Sequence, residues 1–322
     1  MSTEILFSIV IPVKNGDCWL DKLFQKLLKQ TLVDQTEIIV IDSGSTDNSL
    51  EIIKRYPVKL IQIPSAEFNH GETRNVGVRE AVGKYIVMTV QDALPVSDLW
   101  LQFFLDGFFN NNVVAVCGQQ VVPHDKDKNP VTWFRPINKP AIISYHFSNS
   151  QEFEQLTPER KKQVCGWDNV TACYRKDILF QIPFRKISFA EDMQWAKDAI
   201  ISGYTLVYNG FAQVHHYHQM NKEFAFKRNL TELYYRYKIL GYVPPSARLS
   251  IKQHLSIIRI LLREDITLKE KWKWWVYNLN DFHQSKKAFH VFLDALNEGQ
   301  MNLDKIHQDY CGVPPMAQIT NR

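Results

Sequence analysis

The N-terminal part of the chain alternates between short apolar runs and segments with apolar residues at helical spacing. The apolar runs predict buried strands at residues 7–13, 37–41, 58–63 and 85–90. The segments between them predict amphipathic helices at residues 19–30 and 73–81. Strands and helices that alternate this closely indicate a doubly wound, mostly parallel sheet with right-handed crossovers.

The pattern changes along the rest of the chain. Further strands are predicted at residues 113–116, 166–175, 203–208 and 212–218, and helices at residues 97–110 and 189–202. Residues 121–162 show no clear periodicity, which suggests a long excursion that contacts the acceptor or merely covers the surface. Helical patterns then follow at residues 224–240, 246–263 and 268–298. We therefore predict an α/β domain at residues 1–220 and a helical C-terminal region at residues 221–322.

Composition narrows the possible partners and the compartment. A net charge of +4 over 322 residues is mild, and we expect no nucleic-acid partner. The five cysteines are odd in number and form no C-x-x-C pair, which argues against a zinc ribbon or a disulfide framework and favours the cytosol. No apolar run approaches the ~18 residues of a membrane span. Any contact with a membrane is therefore expected from the side, at the inner face of the cytoplasmic membrane.

Polar residues follow three of the predicted parallel strands, at Lys14, Asp42 and Asp92. The carboxyl ends of parallel strands form the edge of the sheet where ligands bind. Neither the Rossmann G-x-G-x-x-G motif nor the P-loop motif follows the first strand. The glycine-rich, arginine-bearing loop of a sugar nucleotidylyltransferase is missing there as well. The residues themselves suggest that Asp92 holds a divalent metal against a nucleotide diphosphate.

These strand ends resemble those of the family 2 glycosyltransferases of GT-A type. The resemblance rests on Ile11-Pro12-Val13-Lys14-Asn15, on Ile41-Asp42-Ser43-Gly44-Ser45-Thr46-Asp47, on Thr73-Arg74-Asn75-Val76-Gly77 and on the turn with Asp92. Residues 68–75 and 91–93 further resemble the bacterial rhamnosyltransferase branch, whose donor is dTDP-L-rhamnose. The resemblance implies inverting transfer of L-rhamnose to a hydroxyl of a bacterial cell-surface polysaccharide or its lipid-linked precursor. Transfer from a UDP-hexose or UDP-N-acetylhexosamine stays open, as does a non-catalytic subunit that binds sugar nucleotides or glycans.

A nucleotide-sugar site needs an acceptor for the base, an apolar wall and cations for the diphosphate. Asp42 at a strand end can accept from the ring imide of thymine or uracil, and it can equally cap its own loop. Arg74 and His70 can meet the diphosphate, or be a surface charge and a turn residue. The predicted donor-binding set is Pro12, Val13, Lys14, Asp42, His70, Arg74, Gln91 and Trp167. Trp167 is equally suited to stacking on a sugar and to packing in the core.

The family's metal motif is incomplete in this chain. Most family members carry Asp-x-Asp after the fourth strand, whereas Val90-Gln91-Asp92 has only the second carboxylate. A hard cation such as Mg²⁺ usually takes several oxygen ligands, so one carboxylate is a weak site. The segment around His216 and His218 resembles the family's late His-x-His. We expect these two histidines to complete a Mg²⁺ or Mn²⁺ site with Asp92.

Glu191 and Asp192 stand at the start of a predicted helix. Acids are stabilised there by the helix dipole, which is a sufficient explanation without chemistry. The pair also resembles the family's base motif, with Asp192 as the base that accepts the acceptor's proton and Glu191 as its orienting partner.

Residues 269–277 interleave lysines with large aromatic residues, including Trp272 and Trp275. This pattern suits a membrane interface and suits packing against the catalytic domain equally well. The helical region can therefore bind the acceptor, a membrane surface or another copy of the chain, and the sequence does not decide whether the protein is a homo-oligomer.

Overall fold

The structure, a computed structural model, describes residues 4–125, 127–132, 139–245 and 251–312. The chain divides into two compact units. The first comprises Met1–Val121 and Asn138–His216, and the second comprises Val122–Ile137 and Tyr217–Arg322. The sequence predicts one boundary, after residue 220. The main difference is that residues 122–137 were predicted to belong to the first unit, whereas they cluster with the second.

The first unit begins with alternating strands and helices. Their bounds are β1 (Phe7–Val13), α1 (Asp17–Leu27), β2 (Thr36–Asp42), α2 (Ser49–Ile53), β3 (Lys59–Gln62), α3 (His70–Glu80) and β4 (Tyr85–Thr89). The four strands pair in parallel in the order β3-β2-β1-β4. Helix α1 buries Leu20, Leu23, Phe24 and Leu27, the face that its spacing predicts. Strand β4 is buried throughout because the sheet is covered on both faces.

Helix α3 begins earlier than predicted, at His70 rather than at residue 73. The side chain of Asn69 accepts hydrogen bonds from the N–H groups of Gly71 and Glu72 and so caps the first turn. Gly77 lets the helix approach β1 closely, because a Cβ atom there would lie 2.4 Å from Cγ1 of Val10. Arg74 is thereby held on the inner side of the helix.

The rest of the first unit extends the same sheet. Its elements are β5 (Leu94–Pro95), α4 (Trp100–Gly107), β6 (Val113–Val121), β7 (Ile142–Tyr145), α5 (Ser150–Glu154), α6 (Pro158–Val164), β8 (Thr171–Arg175), α7 (Lys176–Gln181), α8 (Glu191–Ile201) and β9 (Thr205–His215). Over the described residues the sheet has nine strands in the order β3-β2-β1-β4-β8-β6-β9-β5, with β7 paired to β9. Strand β8 runs antiparallel to β4 and β6, whereas the longest pairings are parallel. The predicted mostly parallel α/β sheet is confirmed.

One detail of the predicted strands is wrong. The segments expected as separate strands at residues 203–208 and 212–218 form the single strand β9, which ends at His215. His216 and His218 therefore lie beyond the strand, and strand alternation does not decide which way they point. Their backbone is irregular, so both imidazoles can approach the same point.

The second unit is helical. Its helices are α9 (Lys222–Leu240), α10 (Ile251–Arg263), α11 (Leu268–Asn297) and α12 (Gln300–Cys311). Phe226, Leu230, Phe292 and Leu303 belong to its core. The first five residues of the helix predicted at 246–263 lie outside the described residues. Helix α12 was not predicted, and Gly299, with φ of 108°, separates it from α11. No helix in the described part of the chain is both long enough and apolar enough to span a membrane.

Candidate active site

The carboxyl ends of β1 and β2 lie side by side, because Val13 pairs with Asp42 in the register of the two strands. Asp42 is fully buried, and its carboxylate accepts hydrogen bonds from the N–H groups of Gly44 and Ser45 at 3.1 and 3.2 Å. These bonds fix the turn after β2. Asp42 therefore caps its own loop, which is one of the two roles that the sequence leaves open. The structure places Pro12 and Val13 beside Asp42, and their contact with a nucleotide base stays a prediction.

Gln91 joins the end of β4 to the end of β1. Its side-chain oxygen accepts from the N–H of Lys14 at 2.9 Å, and its side-chain nitrogen donates to the carbonyl of Lys14 at 3.1 Å. The amide thus continues the pairing of β1 and β4 beyond their last paired residues. Lys14 extends its ammonium group to the hydroxyl of Ser65 at 3.0 Å. This arrangement fixes the turn that carries Asp92.

Asp92, His216 and His218 come together, as the sequence predicts. Each offers one ligand atom, and these atoms lie within 4.8 Å of one another. Nε2 of His216 is 3.5 Å from a carboxylate oxygen of Asp92. The two histidines therefore lie close to Asp92, the one carboxylate of the Val90-Gln91-Asp92 motif.

Gln120, at the end of β6, orients His216. Its side-chain nitrogen donates to the carboxylate of Asp168, and its side-chain oxygen lies 2.6 Å from Nδ1 of His216. A carboxylate only accepts, so the amide orientation follows, and Nδ1 of His216 must carry the proton. In the neutral imidazole this arrangement places the lone pair on Nε2, the nitrogen that lies 3.5 Å from the carboxylate of Asp92. Ligand histidines are commonly fixed by such a partner on the other ring nitrogen.

Arg74 and Glu191 form a buried ion pair. Nη1 of Arg74 lies 3.0 Å from Oε1 of Glu191, and both side chains are only 6% exposed. The same nitrogen donates to the carbonyl of His70 at 2.9 Å. Nε of Arg74 is buried and has no hydrogen-bond partner among the described atoms. Arg74 is therefore not a surface charge, and its contact with a diphosphate stays a prediction.

Asn169 connects the two acids at the start of α8. Its side-chain nitrogen donates to Glu191 at 3.0 Å, and its backbone N–H donates to Asp192 at 3.2 Å. The side-chain oxygen of Asn169 accepts from the hydroxyl of Tyr174 at 2.5 Å. Ala190, just before the pair, has the left-handed φ of 61°, which is uncommon outside glycine. The carboxylates are thus held by a strained turn on one side and by Asn169 on the other.

The two acids have opposite shifts in pKa. Burial raises the pKa of Asp192 to about 8, and the charges of Glu191 and Asp168 add to the effect. Burial also opposes ionisation of Glu191, but Arg74, His70 and Asn169 outweigh it and lower the pKa of that carboxyl. Glu191 is therefore the fixed charge, and Asp192 is the group that exchanges a proton near neutral pH. Such a division is typical of a pair in which one carboxyl acts as an acid or base.

Trp167 packs in the core of the first unit. Its side chain is 6% exposed, its indole N–H donates to the hydroxyl of Tyr174 at 2.8 Å, and its ring packs on Trp195. Of the two roles left open by the sequence, the structure favours packing. Trp167 contributes to the site indirectly, because the hydroxyl it contacts also holds Asn169.

The sequence model of the family described as "Glycosyl transferase family 2" matches residues 8–179. This match runs from the second residue of β1 to beyond the end of β8 and covers more than half of the chain. The chain belongs to glycosyl transferase family 2.

Two relatives from Salmonella align with this glycosyltransferase over 231 residues. The O-antigen chain rhamnosyltransferase WbaN of Salmonella anatum is 32% identical, and RfbN of Salmonella typhimurium is 29% identical. Each alignment covers 69% of this chain and 69% of the relative.

Solved structures of low sequence identity show the fold. The mannosyltransferase PcManGT of Pyrobaculum calidifontis, solved with GDP-Man and Mn²⁺, has a TM-score of 0.53 at 15% identity, over 93% of this chain and 77% of that one. TarS of Staphylococcus aureus, residues 1–349 with UDP-GlcNAc, has a TM-score of 0.52 at 17% identity, over 96% and 82%. The predicted GT-A fold is confirmed.

The donor set around Asp92 fits a divalent metal. One carboxylate and two imidazoles suit Mn²⁺ better than Mg²⁺, which prefers oxygen ligands and retained water. Gln120, Asp168 and Asn169 are functional candidates that were not predicted from the sequence. Their positions are the signal in the sequence, since Gln120 is the second-to-last residue of β6 and the other two follow Trp167 just before β8.

Proposed function

We propose that this glycosyltransferase moves L-rhamnose, with inversion, from dTDP-L-rhamnose to a hydroxyl of a bacterial cell-surface polysaccharide or its lipid-linked precursor. The observation that carries the chemistry is the pair formed by ionised Glu191 and proton-exchanging Asp192, held together by Asn169. Two relatives named as rhamnosyltransferases support the donor sugar. The reaction would take place in the cytoplasm, where nucleotide sugars are made.

The proposed step is a direct displacement. The acceptor oxygen attacks the anomeric carbon from the face opposite the diphosphate, and the bond from that carbon to the diphosphate oxygen breaks. Asp192 takes the hydroxyl proton as the new bond forms. Glu191 stays ionised through Arg74, and its charge favours the protonated state of Asp192. The step needs no further reactant.

Asp92, His216 and His218 would hold Mn²⁺ or Mg²⁺ together with the donor. A bound divalent metal would neutralise charge on the departing diphosphate. Asp42, Pro12 and Val13 would bind the thymine base. Lys14, His70, Arg74 and Gln91 lie on elements that surround the same edge of the sheet, and we assign them to the donor. The proposed second role of Arg74 fits its buried Nε, which lacks a partner among the described atoms.

Gln120→Ala is expected to weaken the metal dependence of donor binding by about 10- to 100-fold, as is usual when a metal ligand loses its orienting partner. His216 would lose the amide that sets its tautomer. Titration calorimetry of dTDP with and without Mn²⁺ measures the effect directly. Gln119→Ala is the matched control, because Gln119 neighbours Gln120 in β6 and its side-chain oxygen accepts from Gln213. Equal metal dependence in the two variants would remove Gln120 from the metal site.

The choice of donor is tested with a panel of nucleotide sugars and a mixture of bacterial lipid-linked glycans. dTDP-L-rhamnose is expected to give release of dTDP that depends on the acceptor. Preferential release of UDP would favour the UDP-hexose or UDP-N-acetylhexosamine alternative. The panel includes UDP-GlcNAc, because TarS was solved with that donor.

A binding subunit without catalysis is the remaining alternative, and Val90 in place of an acid is the observation that favours it. Such a subunit would bind one of these donors without releasing any nucleotide. The intact pair of Glu191 and Asp192 argues against it, because burying two adjacent carboxyls is costly for a protein that does not use them.

A further inference from the structure

Helix α10 presents apolar side chains to solvent. Ile251, Leu255 and Leu262 are 81, 58 and 66% exposed, whereas Leu261 is buried at 3%. The three exposed residues stand at helical spacing and form one stripe along the helix. A surface helix normally turns such a stripe toward the core. The exposed stripe of α10 is therefore suited to contact with something outside the chain.

Cations flank this stripe. Lys252, Arg259 and Arg263 are exposed and follow a second line, roughly a quarter turn around the helix from the apolar stripe. Helix α10 contains no acidic residue. Apolar and cationic lines that run side by side on an exposed helix are the pattern of a helix lying in a membrane interface.

The first turns of α11 continue the same character. Leu268 and Trp272 are 82 and 64% exposed, and Lys269 and Lys273 beside them are exposed too. The ammonium group of Lys271 donates to the carbonyl of Leu262 at 3.2 Å, which ties the start of α11 to the end of α10. Tryptophan and lysine are the residues that anchor proteins at the headgroup level of a bilayer.

We propose that this face, formed by α10 and the first turns of α11, binds the surface of an anionic phospholipid bilayer. The apolar stripe would enter the boundary between headgroups and acyl chains, and the cations would meet the phosphates. A second copy of the chain is a poorer occupant, because a twofold interface would bring these cations face to face. The inference goes beyond the proposed function, since binding to vesicles needs neither donor nor acceptor.

The test is co-sedimentation of the full chain with vesicles of phosphatidylcholine alone and of phosphatidylcholine mixed with phosphatidylglycerol. The unchanged protein is expected to bind the mixed vesicles. The double variant Leu255→Ser with Leu262→Ser should bind them at least about tenfold more weakly, because less apolar surface enters the interface. The variant Arg259→Gln with Arg263→Gln should lose affinity and much of its salt dependence. Met301→Ser is the matched control, as Met301 is 88% exposed in α12 of the same unit.

Several outcomes would overturn the inference. They are the absence of vesicle binding by the unchanged protein, an equal loss of binding in Met301→Ser, and equal binding to vesicles without the anionic lipid. Light scattering during gel filtration tests whether a second copy of the chain covers this face instead. A dimer that the serine substitutions dissociate would assign the face to self-association. Thermal unfolding shows that each variant is folded. Sugar transfer to a water-soluble acceptor, followed by nucleotide release, should be unchanged in all of these variants. The membrane test can therefore fail while the proposed function stands.

Discussion

Replacing Asp192 by asparagine is expected to slow sugar transfer by about 10²- to 10⁴-fold, the usual contribution of a general base. Asparagine has nearly the same shape and still offers an oxygen to the N–H of Asn169, which lies 3.2 Å from the carboxylate. It cannot take the acceptor's proton. Donor affinity should therefore stay within about threefold of the unchanged protein, because the interaction is lost mainly in the transition state. Single-turnover rates and calorimetry separate the two quantities.

Asp198→Asn is the control for this variant. Asp198 is another buried acid of α8, but it pairs with Arg185 at 2.7 Å and does not contact Glu191 or Asn169 in the described structure. Its substitution should leave the transfer rate within about twofold once thermal unfolding shows that the variant is folded. Transfer by the Asp192 variant at an unchanged rate would show that another group takes the proton.

The raised pKa of Asp192 gives transfer a definite dependence on pH. The carboxyl must be ionised to act as a base, and burial together with Glu191 and Asp168 raises its pKa to about 8. Below that pKa, kcat/KM should rise about tenfold for each unit of pH, and above it the curve should level off. The variant Asp192→Asn should lose this dependence over the same range. A profile that is flat between neutral pH and the pKa would contradict the assignment of the base.

Local patterns predicted the scaffold of the site well. The apolar strands that end at Val13, Asp42 and Thr89 bring their following turns to one edge of the sheet, as parallel pairing requires. Asp92 and the histidines could be connected only through the resemblance, because they lie far apart in sequence. The structure brings them together through β9, whose last residue pairs with β6 at Val121.

The hydrogen-bonded partners of the site residues could not be predicted from such local patterns. Arg74 looks like any arginine on a short helix, and only the packing of α3 against the sheet reveals that it is buried against Glu191. Gln120 and Asp168 are ordinary polar residues near strand ends, and their contact depends on the pairing of β6 with β8. Trp167 was predicted as a candidate for stacking on a sugar, but its side chain packs in the core. Side-chain partners across a sheet follow from tertiary structure, which residue spacing does not encode.

Arg74→Met is expected to destabilise the protein by about 3 to 5 kcal/mol, the usual cost of removing one partner of a buried ion pair. Methionine fills much of the space of the arginine stem but leaves Glu191 charged and buried beside Asn169. The lowered pKa of Glu191 depends partly on Arg74, so this carboxyl should take up a proton in the variant. Chemical denaturation at neutral pH measures the change in the free energy of unfolding.

Two further variants separate charge from packing. Arg55→Met removes an exposed partner of Asp21, 3.6 Å away, and should cost no more than about 1 kcal/mol. The double variant Arg74→Met with Glu191→Gln should recover part of the lost stability, because a neutral amide can keep its bond to Asn169 without a counter-charge. Above the pH at which Asp192 of the unchanged protein ionises, transfer should be slower in the double variant, since Asp192 would lose the neighbouring charge that raises its pKa and makes it the stronger base. Transfer at the unchanged rate in that pH range would show that Glu191 has only a structural role.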